Sequence, residues 1–188
     1  MFATQNLNKV TEVQAVLGES IKVLSLNDFP PQPEVVEDGE TFEANAIKKA
    51  TALAKAFQLT ALADDSGLEV DALGGRPGVH SARYGGADMP HSEKVKLLLK
   101  ELSHVPEEKR QARFVCVMAL ARPDGSVLTR RATIEGRIAL APKGANGFGY
   151  DPVFLLPERG CTTAELSLEE INAISHRGQA LRAIRPYL

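Results

Sequence analysis

Between residues 41 and 57 the apolar positions Phe42, Ala46, Ile47, Ala50, Leu53, Ala54 and Phe57 recur at helical spacing, which predicts one amphipathic helix. Thr41 stands where an N-cap belongs, and Glu43 faces the positive end of the helix dipole. The next apolar run, 59–63, is too short for a helix and stops at Asp64-Asp65-Ser66-Gly67. It reads as a strand that delivers acids at its C-terminal end. Residues 9–17 have the pattern of a helix after a very short first strand, residues 21–26 that of a strand, and residues 95–102 that of another helix. Residues 112–121 and 127–140, the latter rich in β-branched side chains, predict adjacent strands of a hairpin turned at Pro123-Asp124-Gly125. Alternating helices and strands followed by a local strand pair point to an α/β protein with a mixed, not purely parallel, sheet.

Residues 74–86 and 142–152 follow no regular period, and loops carry function more often than packing. No repeat or linker interrupts the chain, so residues 1–188 read as a single domain. With 44% hydrophobic and 24% charged residues, that length suffices for one sizeable core or two closely joined lobes. A net charge of -2 provides no global field for DNA or an anionic membrane. A small anionic ligand is therefore expected, with neither nucleic acid nor membrane as a partner. No run approaches the roughly 18 apolar residues of a membrane helix, and the N-terminus lacks a signal peptide's apolar core, so the cytosol is expected by default. Cys116 and Cys161 have neither metal-knuckle nor disulfide-framework spacing.

Five segments carry candidate chemistry. Thr4-Gln5-Asn6-Leu7-Asn8-Lys9 lies where a strand stub meets a helix. Backbone amides, the helix dipole and the donors of Thr4, Asn6 and Lys9 suit phosphate oxygens there, although a capped turn with a solvated lysine uses the same residues. The GxxxxGK[ST] loop is absent. In Asp64-Asp65, adjacent side chains alternate across a strand, so one carboxylate can serve a site while the other makes structural hydrogen bonds. A hard cation such as Mg²⁺ takes carboxylate oxygens, and the same acid can orient or deprotonate water; the plainer reading is an acidic turn. A nucleophilic aspartate of the phosphatase type needs a second Asp two residues later, which DDSG lacks.

Glu37-Asp38-Gly39-Glu40 is either a solvated loop or the source of a second metal carboxylate. Gly147-Phe148-Gly149-Tyr150-Asp151-Pro152 lets Phe148 approach a flat ligand whose edge Asp151 or a nearby amide reads, or else is a turn with its aromatics in the core. In Ser175-His176-Arg177-Gly178, Arg177 offers donors only, matching a 6-oxo group and opposing adenine's 6-amino group; a surface helix start is the alternative. His80, His91 and His104 form no ligand spacing.

Taken in order, and joined by Gly74-Gly75 and Ser81-Ala82-Arg83-Tyr84, these segments resemble, almost end to end, the inosine triphosphate pyrophosphatase family, house-cleaning enzymes acting on ITP, dITP and XTP. The resemblance implies an elongated mixed β-sheet with flanking helices forming two lobes around a central nucleotide-binding cleft, usually in a homodimer. It also implies Mg²⁺-dependent hydrolysis between the α- and β-phosphates to monophosphate and pyrophosphate. By residue, it implies Asp65 as catalytic acid/base and metal ligand, Glu37 as the second metal ligand, and Ser66 on the nucleotide. Thr4, Gln5, Asn6, Leu7, Asn8 and Lys9 would cradle phosphate, with Lys49 and Arg83 adding positive charge. Phe148, Gly149, Tyr150, Asp151, His176 and Arg177 would enclose the base. The chain departs from the family where Gln5 and Asn8 replace small residues, where Ile171 replaces a lysine at a substrate-contact position, and in its short first strand. A phosphomonoesterase, or a nucleotide-binding sensor without turnover, are the rival readings.

Overall fold

The computed structural model describes residues 1–19, 21–31 and 35–188. Its first helix, α1 (Leu7–Leu17), begins at Asn6, whose side chain accepts the Asn8 and Lys9 amides, and buries Val13 and Leu17. Helix α2 (Phe42–Phe57) begins where predicted: the Thr41 hydroxyl accepts the Ala44 amide at 3.1 Å. The first strand shrinks to a parallel bridge between Phe2 and Leu62. Residues 21–26 do not form the expected strand. Phe2 donates to the Leu24 carbonyl and Leu26 to that of Thr4, but a capping box between Ser25 and Asp28 then turns the chain into a 3-10 helix at Leu26–Asp28. Side-chain bonds to local backbone have displaced a strand ladder there.

Strand β1 spans Ala61–Val70, so the acids lie in mid-strand and not at its end as expected. The reason is that Leu68 and Val70, both fully buried, resume the apolar pattern beyond the acids. Strands β2 (Gln111–Ala121) and β3 (Val127–Ile138) form the predicted hairpin, closed by Arg122 donating to Ser126 and Gly125 to Arg122, each at 3.0 Å. Two short strands, β4 (Phe154–Leu156) and β5 (Cys161–Thr162), complete the sheet in the order β1-β2-β3-β4-β5. β3–β4 and β4–β5 are antiparallel, so with the parallel Phe2 bridge the mixed character holds. Gly136 permits the close approach of β4: a Cβ there would lie 2.6 Å from the Leu155 carbonyl oxygen. Helix α3 (His91–Glu101) starts a turn before its apolar stripe, and α4 (Leu168–Ile174) and α5 (His176–Ile184) follow β5.

The chain divides into two compact units. The first comprises Met1–Ser66, Cys116–Ala132 and Ser175–Leu188, and its core joins Phe2, Val13, Leu17, Leu62, Met118, Leu120, Leu181 and Ile184. The second comprises Gly67–Val115 and Thr133–Ile174, with Leu68, Val70, Leu98, Leu102, Ile138 and Phe154 at its centre. Among the described residues no helix is long and apolar enough to cross a membrane.

Candidate active site

Asp64 and Asp65 are buried side by side in β1, and strand alternation sends their carboxylates to opposite faces. On the Asp65 face, α2 presents two polar residues one turn apart on its otherwise apolar buried side. Asn45 donates to Asp65 Oδ2 at 3.1 Å, and the Lys49 ammonium donates to Asp65 Oδ1 at 3.4 Å and to Glu37 Oε2 at 3.0 Å. Asn45 also grips the acidic loop, accepting the Gly39 amide at 2.8 Å and donating to the Gly39 carbonyl at 3.3 Å. A Cβ on Gly39 would sit 2.6 Å from that Asn45 oxygen, so any side chain there would displace this contact.

The Asp65 carboxyl is pushed up to about 6, chiefly by burial and further by Glu37 and Asp64, against the pull of Lys49 and Asn45. Burial opposes the Lys49 charge, but Asp65, Asp64 and Glu37 together raise its pKa above the ordinary lysine value. Asp65 and Glu37 thus share the ammonium of Lys49.

The Asp64 face differs. Both carboxylate oxygens lie within 2.9 and 3.0 Å of Lys9 Nζ, Ser66 donates its hydroxyl proton to Oδ2 at 2.8 Å, and Arg177 Nε approaches the same oxygen at 3.4 Å. Arg177 also donates from Nη1 to Glu12 at 2.5 Å and from Nη2 to Ser66 Oγ at 3.0 Å. Burial alone would raise the Asp64 pKa, yet Lys9, Arg177 and Lys49 hold it far below the usual carboxylate range. Arg177, expected to read a base edge, therefore spends these donors on α1 and β1. Its neighbour His176 is half-buried, and burial, then Arg177, keeps its pKa well below the usual histidine value.

The 4–9 segment is built by its own side chains. Thr4 Oγ1 accepts the Asn6 amide at 3.1 Å, and Asn6 Oδ1 accepts those of Asn8 and Lys9 at 3.0 and 3.5 Å. Thr4 is buried, while Gln5, Asn6, Leu7 and Asn8 are exposed. Three of the amides expected to cradle phosphate are thus already capped, and Lys9 is the cation the segment contributes.

The remaining candidates belong to the second unit. Arg83 is exposed at the end of a 3-10 helix (Gly78–Arg83). Asp151 accepts the Phe148 amide and the Thr163 hydroxyl, each at 2.8 Å, and so shapes its own loop. Gly147 is needed for this: its φ is +71°, and a Cβ would lie 2.2 Å from Asp151 Oδ2. Phe148 and Gly149 are half-buried, whereas Tyr150 is buried and donates to the Ser81 carbonyl at 3.0 Å. Ile171, where the family pattern has a lysine, packs against the apolar core of this unit.

No group of three His, Cys, Asp or Glu side chains among the described residues is arranged to hold a metal. Glu37 and Asp65 nevertheless fit Mg²⁺, which is usually held by one or two carboxylates together with substrate phosphates. Both lie on the Lys49 ammonium, Glu37 Oε2 at 3.0 Å and Asp65 Oδ1 at 3.4 Å.

The Ham1 family model matches residues 1–187. The chain belongs to the Ham1 family. It is 53% identical over 182 residues to the dITP/XTP pyrophosphatase of Geobacillus kaustophilus, covering 96% of this chain and 89% of that one. It is 51% identical over 189 residues to the dITP/XTP pyrophosphatase of Geobacter sulfurreducens, covering 100% and 95%. The solved structure of a HAM1 protein from Coxiella burnetii superposes with a TM-score of 0.90 at 43% identity, over 99% of this chain and 95% of that one. Within this Ham1 chain, sequence reasoning missed Asn45 and Glu12. Asn45 was detectable as a polar residue one turn before Lys49 on an apolar helix face, and Glu12 as an acid one turn after Lys9.

Proposed function

We propose that this Ham1-family chain is a Mg²⁺-dependent pyrophosphatase that converts deaminated purine nucleoside triphosphates, ITP, dITP and XTP, to the monophosphate and pyrophosphate. The observation carrying this reading is the Asp65 face: the buried Asp65 and the partly exposed Glu37 meet on the buried ammonium of Lys49. The names of the relatives at about half identity support the substrate class and the bond cleaved.

When bound, Mg²⁺ neutralises the triphosphate and lowers the pKa of water. Asp65 is the general base. With a pKa near 6 it is largely ionised at neutral pH yet basic enough to accept a proton from water attacking the α-phosphorus in line. Asn45 fixes the orientation of that carboxylate through Oδ2, leaving Oδ1 to Lys49 and the water. Lys49 and Lys9, each already held by carboxylates, supply positive charge to the departing pyrophosphate, a preorganised stabilisation.

The test is a panel of triphosphates assayed for pyrophosphate release with and without Mg²⁺. ITP, dITP and XTP are expected to exceed ATP in kcat/KM by orders of magnitude. Release of inorganic phosphate instead of pyrophosphate makes the chain a phosphomonoesterase, equal kcat/KM for ATP and ITP removes the base selectivity, and ITP binding without Mg²⁺-stimulated turnover makes it a sensor. A homodimer is part of the proposal and is checked by light scattering.

A further inference from the structure

Lys9, Asp64, Arg177 and Glu12 form a chain of alternating charge, linked Lys9–Asp64, Asp64–Arg177 and Arg177–Glu12. Lys9 and Glu12 stand one turn apart on α1, Asp64 comes from β1 and Arg177 from α5. This chain of charges holds two cations and two carboxylates. An ammonium has three donors, and the chelating approach of both Asp64 oxygens commits two of those of Lys9. A hydroxyl has one proton, and that of Ser66 goes to Asp64 while its oxygen accepts from Arg177.

We propose that Asp64 is a positioning residue of the reaction: it ties down Lys9 so that one ammonium donor remains, held in place, for a polyphosphate oxygen, and it turns the Ser66 hydroxyl away from donating to substrate. This rests on the reading of Lys9 as a phosphate contact. In this role Asp64 acts through Lys9. A merely structural Asp64 would lower stability without its kinetic effect depending on Lys9.

A double-mutant cycle separates the two, using Asp64→Asn, Lys9→Met and their combination. KM for ITP, kcat and the inhibition constant of pyrophosphate are measured, with thermal unfolding of each variant as the control. In Asp64→Asn an amide donor faces two cations, so the tether is lost with little change in shape. Each single substitution is expected to raise KM and the pyrophosphate inhibition constant about tenfold, and the double variant no further than the worse single one. Should Asp64→Asn fail to fold, Asp64→Glu keeps the charge, displaces its oxygens by one methylene and is expected to raise KM likewise. Effects that multiply in the double variant, or a folded Asp64 variant with parental KM, overturn the inference. If Lys9→Met leaves KM and pyrophosphate inhibition unchanged, the phosphate role of Lys9 falls and takes the inference with it. Pyrophosphate release by the parent enzyme stands apart from that result.

Discussion

The two faces of β1 place the same functional group, one residue apart, in opposite electrostatic settings. Asp64 is enclosed by Lys9 and Arg177 with Glu12 completing the balance, and is held fully ionised. Asp65 shares the ammonium of Lys49 with Glu37, and burial pushes it up to about 6. A carboxylate whose charge is fully matched is a structural anchor. One whose charge is under-matched can take a proton or a metal ion. Chemistry therefore follows the imbalance, not burial, because both acids are buried.

The sharpest way to break this comparison is Asp65→Asn. Loss of a general base costs roughly 10²- to 10⁴-fold, so kcat for pyrophosphate release is expected to fall about a thousandfold while KM for ITP stays within a few-fold. Near-parental kcat would move catalysis elsewhere. Next comes Glu37→Gln, which removes half of the charge offered to the metal. Titration of activity with Mg²⁺ is expected to show half-maximal rate at roughly tenfold or more higher concentration, and an unshifted titration would deny Glu37 its place.

Asn45→Ala tests the orientation of Asp65 and the tie to Gly39. Loss of such outer-shell partners costs about 10- to 100-fold in activity or metal affinity, and kcat is the parameter expected to carry it. A drop in thermal stability with kcat intact would reduce Asn45 to a loop clamp.

The smallest effect is in stability, and its sign differs between the faces. Asp65 has a folded-state pKa above its unfolded value, so its contribution is fully present below about 4 and is lost as pH rises through about 6. In metal-free buffer at pH 8, Asp65→Asn is expected to be more stable than the parent by up to roughly 3 kcal/mol, with the gain vanishing by pH 4. Asp64 has a depressed pKa, so its contribution is present above the ordinary carboxylate value of 3.8 and is lost as pH falls below it. Melting curves of parent and variant from pH 3 to 8 in a chelator check both signs. A destabilised Asp65→Asn at pH 8 would contradict the under-matched charge.

Much of this arrangement was legible in the sequence. Helix α2 began at the predicted Thr41 cap and the hairpin turned at the predicted Pro123-Asp124-Gly125, because caps, periods and tight turns are properties of a few neighbouring residues. The reading of β1 as ending at its acids failed for the complementary reason: two charges in mid-strand are tolerable only when partners from distant segments neutralise them, and Lys9, Asn45, Lys49 and Arg177 are out of view of a local window. The strand expected at 21–26 failed because Ser25 and Asp28 offered the backbone a closer partner than a neighbouring strand.

By itself, then, the sequence determined which residue types were available to the site, the order of the elements carrying them, and through its spaced motifs the family. Which of two adjacent aspartates is the anchor and which the reactive one was decided only by the tertiary structure. A carboxyl's pKa depends on charges within a few ångströms in space, and the partners that set Asp64 and Asp65 apart come from α1, α2, the loop at Glu37 and α5.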